Sequence, residues 1–290
     1  MGLPRVVTIL VHPCDHFWNS AYTLADLAAL LREQGVTIHV VSDPDLAPEA
    51  DLGFLHVDMT RVDERFASCT HRFAKTVNFQ TLDISKRAVC NHIVRRGDGY
   101  DGPVIVKTDR NCAGIREAAL ARRSSMSRVV RSIHRRLPWQ VRAELGGKSY
   151  PVFDSVKDVP WMVWRNPWLV VERFKPERVE RTYVLRSWVF CGSASLIGVR
   201  RAATPVVRPP FVGGPDLRSI TDPGQVPQGL WRRREELGFQ FGKFDFTLDE
   251  AGEPTVFDVN RTPTGPSLGP EQRRWQSEQL LMGLESLTAS

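Results

Sequence analysis

The stretch that most constrains this chain is 242–266, GKFDFTLDEAGEPTVFDVNRTPTGP, which reads as two strands joined by a tight turn. Phe244, Phe246 and Leu248 alternate with Lys243, Asp245 and Thr247, and after the turn Thr255, Phe257 and Val259 alternate with Val256, Asp258 and Asn260. Period-2 alternation marks a hairpin with one face buried. The polar, glycine-containing run 249–253 supplies the turn. With that turn centred between Ala251 and Gly252, Asp245 faces Asp258 and Lys243 faces Asn260, all four on one side. Opposed Cβ atoms lie about 4.5–5.5 Å apart and like charges placed there repel, so the two acids are either a cost or a cation site. Oxygen donors suit Mg2+ or Mn2+, hard ions that bind through one or two carboxylates together with nucleotide phosphates. Lys243 adds a positive charge for an anion. A surface hairpin with scattered acids is the plain alternative, and a slip of one residue would split the four between faces.

An aspartate in G-[KR]-x-D, an acidic-x-Asn pair 13 residues on and a Thr-Pro turn resemble the metal-binding end of the ATP-grasp superfamily. The resemblance implies that Asp245, Asp258 and Asn260 hold two Mg2+ (or Mn2+) ions between the phosphates of ATP, and that Lys243 contacts the transferring phosphoryl group. The family pattern has Glu where this chain has the shorter Asp258.

At 290 residues, 42% hydrophobic and 25% charged, the composition is that of an ordinary globular chain. No run approaches the roughly 18 apolar residues of a membrane span, and no signal-peptide pattern opens the chain. Cys14, Cys69, Cys90, Cys112 and Cys191 are scattered and contain no CxxC, which points to free thiols in a reducing cytoplasm and away from zinc. The net charge of +6 comes mostly from arginine and suits a polyanionic nucleotide. No nucleic-acid-binding signature accompanies it, so no nucleic acid is expected.

The first lobe reads as α/β. Apolar runs at 6–11, 36–41 and 52–57 are strands, and Leu24, Leu27, Leu30 and Leu31 give helical spacing over 22–32, closed by Gly35. Short strand–helix–strand joints imply a parallel sheet. The first joint lacks G-x-G-x-x-G; His12, Asp15 and His16 sit where such lobes bind ligands, with substrate contact or plain surface polarity weighed above a metal.

Residues 83–87 begin a helix capped by Asp83 or Ser85. Residues 103–107, PVIVK, are a buried strand ending in a lysine, which is costly unless the ammonium emerges into a polar cleft. The resemblance gives Lys107 to the α/β-phosphates and Lys86 a similar task. Where the family has a glycine-rich phosphate loop, 108–114 carries a single glycine; Asn111 and the backbone at Gly114 could still cover the phosphates. The basic run 117–145, with Arg122, Arg123, Arg128, Arg131, Arg135 and Arg136, reads as a solvated face or as a mobile segment meeting an acidic partner. Residues 150–168 read as loops, and 168–174, WLVVERF, as a strand turning polar. By resemblance that strand is the inter-lobe hinge, placing the adenine edge at Glu172, Arg173 and Phe174. A hairpin over 183–199 follows. Arg186 and Arg200 resemble two arginines of the glutamate-ligase branch that contact phosphates or an acyl-phosphate. The acidic ribose residue of that branch is Val184 here, leaving Glu177 or Glu180 as guesses. Residues 202–222 read as loop, 228–237 as a helix, and 271–287 as an amphipathic helix packed at the rim.

The resemblance implies an α/β fold: a parallel-sheet substrate lobe (1–82), then two α+β subdomains clasping ATP (83–170 and 171–290). The activity it implies is ATP-dependent joining of a small-molecule or peptide carboxylate to an amine through an acyl-phosphate. A kinase-type phosphotransferase and a non-catalytic ATP-binding protein remain the alternatives, no membrane partner is expected, and a homodimer stays open.

Overall fold

The computed structural model describes residues 2–114, 117, 137–143, 145, 150–214, 216–265 and 268–288. The six arginines singled out in the basic run lie outside the described residues. Three sheets carry the fold. The first is parallel, in the order β2-β1-β3-β4, built from β1 (Val6–Leu10), β2 (Thr37–Val41), β3 (Ala50–Leu55) and β4 (Phe73–Val77). The helix α1 (Thr23–Glu33) links β1 to β2 and buries Leu24, Leu27 and Leu31. Gly35, at φ +85°, ends it in the left-handed conformation that a side chain would resist.

The second sheet is antiparallel, order β6-β5-β7, with β5 (Val104–Thr108) buried between β6 (Val152–Phe153) and β7 (Leu169–Arg173). A single helical turn, α2 (Lys86–Val89), precedes β5, and α3 (Trp161–Arg165) precedes β7. Residues 150–168 are therefore only partly loop. The border expected between 170 and 171 falls inside β7, whose pairing with β5 is continuous across it.

The third sheet runs β11-β10-β9-β12-β13, with β8 also on β9. Its strands are β8 (Glu177–Val179), β9 (Thr182–Cys191), β10 (Ala194–Ala202), β11 (Asp216–Ile220), β12 (Phe241–Leu248) and β13 (Pro254–Asn260). The region 202–222, expected to be loop, contains β11, a short charged edge strand that pairs with β10 from Ser195–Ile220 to Val199–Asp216. One face of the sheet packs Trp188, Phe190, Phe244 and Phe246 against Leu230 of α4 (Gln228–Glu236), with Phe190 and Phe244 edge to face at 5.3 Å.

The other face meets the first lobe. Val189, Cys191, Leu196 and Phe241 share a core with Ile9, Leu27 and Phe54, and α5 (Pro270–Thr288) is packed into it through Leu280 and Leu284. The last helix is thus a seam between lobes, not a rim element, because its apolar face meets α1 and the β9–β10 hairpin together. Gly283 makes that approach possible: a Cβ there would lie 2.0 Å from the carbonyl oxygen of Cys191.

Candidate active site

The β12–β13 hairpin has the register its sequence dictates at the acids. Lys243 pairs with Asn260, Phe244 with Val259 and Asp245 with Asp258. The pairing then shifts between Asp245 and Phe246, so that Phe246 meets Val256 and Phe257 is the extra residue of a bulge. Alternation had put Phe257 on the core side. The bulge instead leaves Val256 and Val259 in the core and turns Phe257 toward a cavity that Asp258 also lines.

Repulsion between the facing acids is met from two directions. Lys243 places Nζ 2.9 Å from Asp245 Oδ2, and Lys86 is ion-paired to Asp258 Oδ1. Lys86 is 3% exposed; desolvation opposes its charge, but Asp258 chiefly, with Cys90 and Glu172, holds its pKa above the ordinary lysine value. Behind it, Glu172 is wholly buried and accepts from Lys107 Nζ at 2.7 Å, with His92 Nε2 3.1 Å from the same oxygen. Burial alone would raise the Glu172 carboxyl, yet Lys107, His92 and Lys86 outweigh it and pull the pKa down to about 2. Lys107 Nζ also stands 4.8 Å above the Phe257 ring. Burial pushes the neighbouring Cys90 thiol up to about 12, so it stays protonated.

Part of this cluster lines the first cavity, between the second and third sheets. Lys86, Lys107, Asp245 and Asp258 provide charge, and Ile105, Phe174, Leu185 and Phe257 provide apolar walls. Asp245 also lines a second cavity, with Lys243, Arg200, Ser187 and Gln276. Arg200 pairs across the sheet with Leu185 and Asp245 with Ser187, so both arginine and acid occupy the same face.

Other expected residues stand elsewhere. Arg186 pairs with Phe246, on the opposite face, and makes a bidentate contact with Glu177, its Nη2 2.6 Å from Oε1. That contact, with the Leu248 N–H at 2.9 Å, also occupies the Glu177 carboxylate, one of the two acids considered for ribose. Glu172 lies behind Lys107 as its counter-ion. Arg173 turns outward, its guanidinium 5.0 Å from the Tyr100 ring, and the N–H groups of Arg173 and Phe174 donate to His92 and Pro103 carbonyls. Asn111 and Gly114 line neither cavity. Their turn packs on the first lobe, where Asn111 N–H donates to Thr60 Oγ1 at 2.9 Å, and Asp109 beside it is held by Arg61 and by the Arg87 N–H.

Asn260 is buried, and its Oδ1 accepts from the Thr262 N–H at 2.8 Å. The Thr262 hydroxyl lies 3.1 Å from that oxygen but 2.9 Å from Asp58 Oδ1, and its single proton goes to the carboxylate. The amide oxygen therefore keeps one lone pair. The two partly buried carboxylates supply oxygen donors suited to a hard divalent ion, while Asn260, on the same face of the hairpin, lines neither cavity. Asp58 and Asp15 converge on the Tyr22 hydroxyl at 3.0 and 2.9 Å, which puts the polar end of the first lobe beside the same loop.

Sequence reading missed Arg261, Cys90 and His92. Arg261 is 0% exposed and donates to the backbone carbonyls of Val57, Met59 and Thr81, tying the residues after Asn260 to the first lobe. Desolvation lowers its pKa to about 10, still cationic at neutral pH. Cys90-x-His92, with its alternate-residue spacing, was the available signal for the cluster around Glu172.

No family model matches the sequence, and no curated protein matches it. Solved structures do. The ATP-grasp ligase PsnB, complexed with precursor peptide PsnA2 and AMPPNP, is 14% identical, covers 99% of each chain and gives a TM-score of 0.50. The D-cycloserine synthetase DcsG is 12% identical over 96% of this chain and 99% of its own, also with a TM-score of 0.50. A RimK-domain ATP-grasp protein from Sphaerobacter thermophilus DSM 20745 is 13% identical over 97% and 99%, with a TM-score of 0.47.

Proposed function

On the premise that this chain has the ATP-grasp fold, we propose that it is an ATP-dependent ligase that joins a carboxylate to an amine. The observation that carries the reading is that Asp245 lines both cavities. A nucleotide in the first cavity and an acid in the second would meet at that residue, opposite Asp258.

In this reading the base lies among Ile105, Phe174, Leu185 and Phe257, and Lys107 and Lys86 neutralise the phosphates. Bound to Asp245, Asp258 and Asn260, Mg2+ or Mn2+ would supply positive charge to the phosphate oxygens. Lys243 and Arg200 hold the acid on the far side of Asp245. A carboxylate oxygen forms a bond to the γ-phosphorus while the bond from that phosphorus to the bridging oxygen breaks, leaving ADP and an acyl-phosphate. The amine nitrogen then bonds the acyl carbon, phosphate departs with the oxygen, and the amine proton passes to phosphate or solvent. Phosphoryl transfer of this kind needs placement and charge more than a protein nucleophile. PsnB and DcsG are a ligase and a synthetase by name, which supports the class without naming an acid or an amine for this chain.

The test is release of ADP and phosphate, with Mg2+, across a panel of acids with and without amines. The reading predicts phosphate release that requires both partners. ADP formation that needs no amine and leaves a stable phosphorylated product would assign a kinase-type transfer instead.

A further inference from the structure

The second cavity, of about 130 Å³, is lined by two unlike sets of polar groups. In one set, Lys243 and Arg200 share a face of the sheet with Asp245. The other is Gln276 of α5, 5% exposed, whose carboxamide makes no hydrogen bond among the described residues. Its Oε1 reaches toward the loop after β13, 3.7 Å from where a Cβ on Gly265 would stand. The residue is buried while its amide faces the cavity, so a bound group can take the place of water as its partner. Leu217 and Leu268 add apolar wall, and Gly198 leaves the lining bare where a Cβ would press Ser187 Oγ at 2.8 Å. The other charge on the wall, Asp216, is already engaged by Arg218 at 2.8 Å.

We propose that this cavity takes a small carboxylic acid bearing a neutral hydrogen-bonding group, a hydroxyl or a carboxamide, on its tail, and that Gln276 selects it. The inference rests on the ligase reading above, which places the acid's carboxylate at Lys243 and Arg200. The tail then runs past Leu217 and Leu268 to Gln276, which offers two donors and one acceptor and no compensating charge. A charged tail would lose its hydration for nothing, and an apolar tail would leave the amide unpaired. Gln276 is a specificity-determining residue here and takes no part in phosphoryl transfer.

The experiment uses three- to five-carbon acids in sets matched for length, with methyl, hydroxyl, carboxamide or ammonium tails. Hydroxylamine serves as the amine and hydroxamate is the readout. Wild type should favour hydroxyl and carboxamide tails over methyl by about tenfold or more in kcat/KM. Gln276→Met, of equal length, should erase that preference while ATP affinity, measured by calorimetry, is unchanged. Gln276→Glu should shift the preference to ammonium tails, and it carries the test if Gln276→Met does not fold. An unchanged preference in the variants overturns the proposal, as does a wild type that binds ATP but converts none of these acids. A wild type that binds no ATP would overturn the ligase reading itself.

Discussion

Asp245 and Asp258 stand directly opposite each other on adjacent strands, and each is neutralised by a different lysine. Lys243 comes from the same strand as Asp245, two residues before it. Lys86 comes from a one-turn helix 172 residues away in sequence from Asp258. The acid pair is thus stable without an ion, and a divalent ion would exchange with ammonium groups as it binds.

That exchange can be measured. Lys86→Met should lower stability by about 1–3 kcal/mol without metal, since it leaves Asp258 and Glu172 short of a counter-charge. Mg2+ should then raise the melting temperature of the variant by several degrees more than that of wild type. Equal responses in differential scanning calorimetry would count against a cation site at the acids.

The two arginines that look alike in sequence should behave differently. Arg200→Ala, on the face shared with Asp245, should lower turnover by on the order of 10²-fold with little change in melting. Arg186→Ala, on the opposite face, should leave the buried Glu177 carboxylate with no counter-charge and only the Leu248 N–H, costing about 1–3 kcal/mol of stability with turnover retained. Steady-state ADP release alongside urea unfolding separates the outcomes.

Acid sensitivity should trace to Glu172. Its folded pKa of about 2 lies below its unfolded value near 4.5. The stability it contributes is present above pH 4.5 and is lost as pH falls from there toward 2. Glu172→Gln should be less stable at pH 7, where Lys107 loses its counter-ion, and should show a shallower decline below pH 4.5. Urea midpoints from pH 7 to pH 2.5 give the comparison.

Burial predicts silence at Cys90. With the thiol pushed up to about 12, iodoacetamide at pH 8 should leave Cys90 unmodified in the native protein and label it only after unfolding. Peptide mass spectrometry reads this directly.

Much of this was legible before the structure because β-alternation is a local signal. Asp245, Asp258, Lys243 and Asn260 could be placed on one face from the hairpin alone, β1, β5 and β7 stand out as apolar runs, and α1 is marked by the spacing of its leucines. The bulge was not legible. Val256, Phe257 and Val259 are all apolar, and only closure around the 249–253 turn decides which of them leaves the core. The arginines turned on a similar point: the two-residue turn at Gly192 and Ser193 pairs Arg186 with Val199 and Arg200 with Leu185, whereas a three-residue turn would have put both arginines on one face. Glu172 reads as a polar strand end, and nothing local shows that Lys107, His92 and Lys86 close over it. Strands as short as β6 and as polar as β11 lack enough alternation to separate them from loop.

The central claim is that Asp245 and Asp258 bind a divalent ion together with a nucleotide triphosphate. Isothermal titration of AMPPNP into wild type and Asp258→Asn, each in Mg2+ and in EDTA, tests it most directly. Wild type should bind at least about tenfold more tightly with Mg2+, a difference of roughly 1.4 kcal/mol, and the variant should lose that gain while keeping its fold. Equal affinity of wild type in Mg2+ and in EDTA would contradict it.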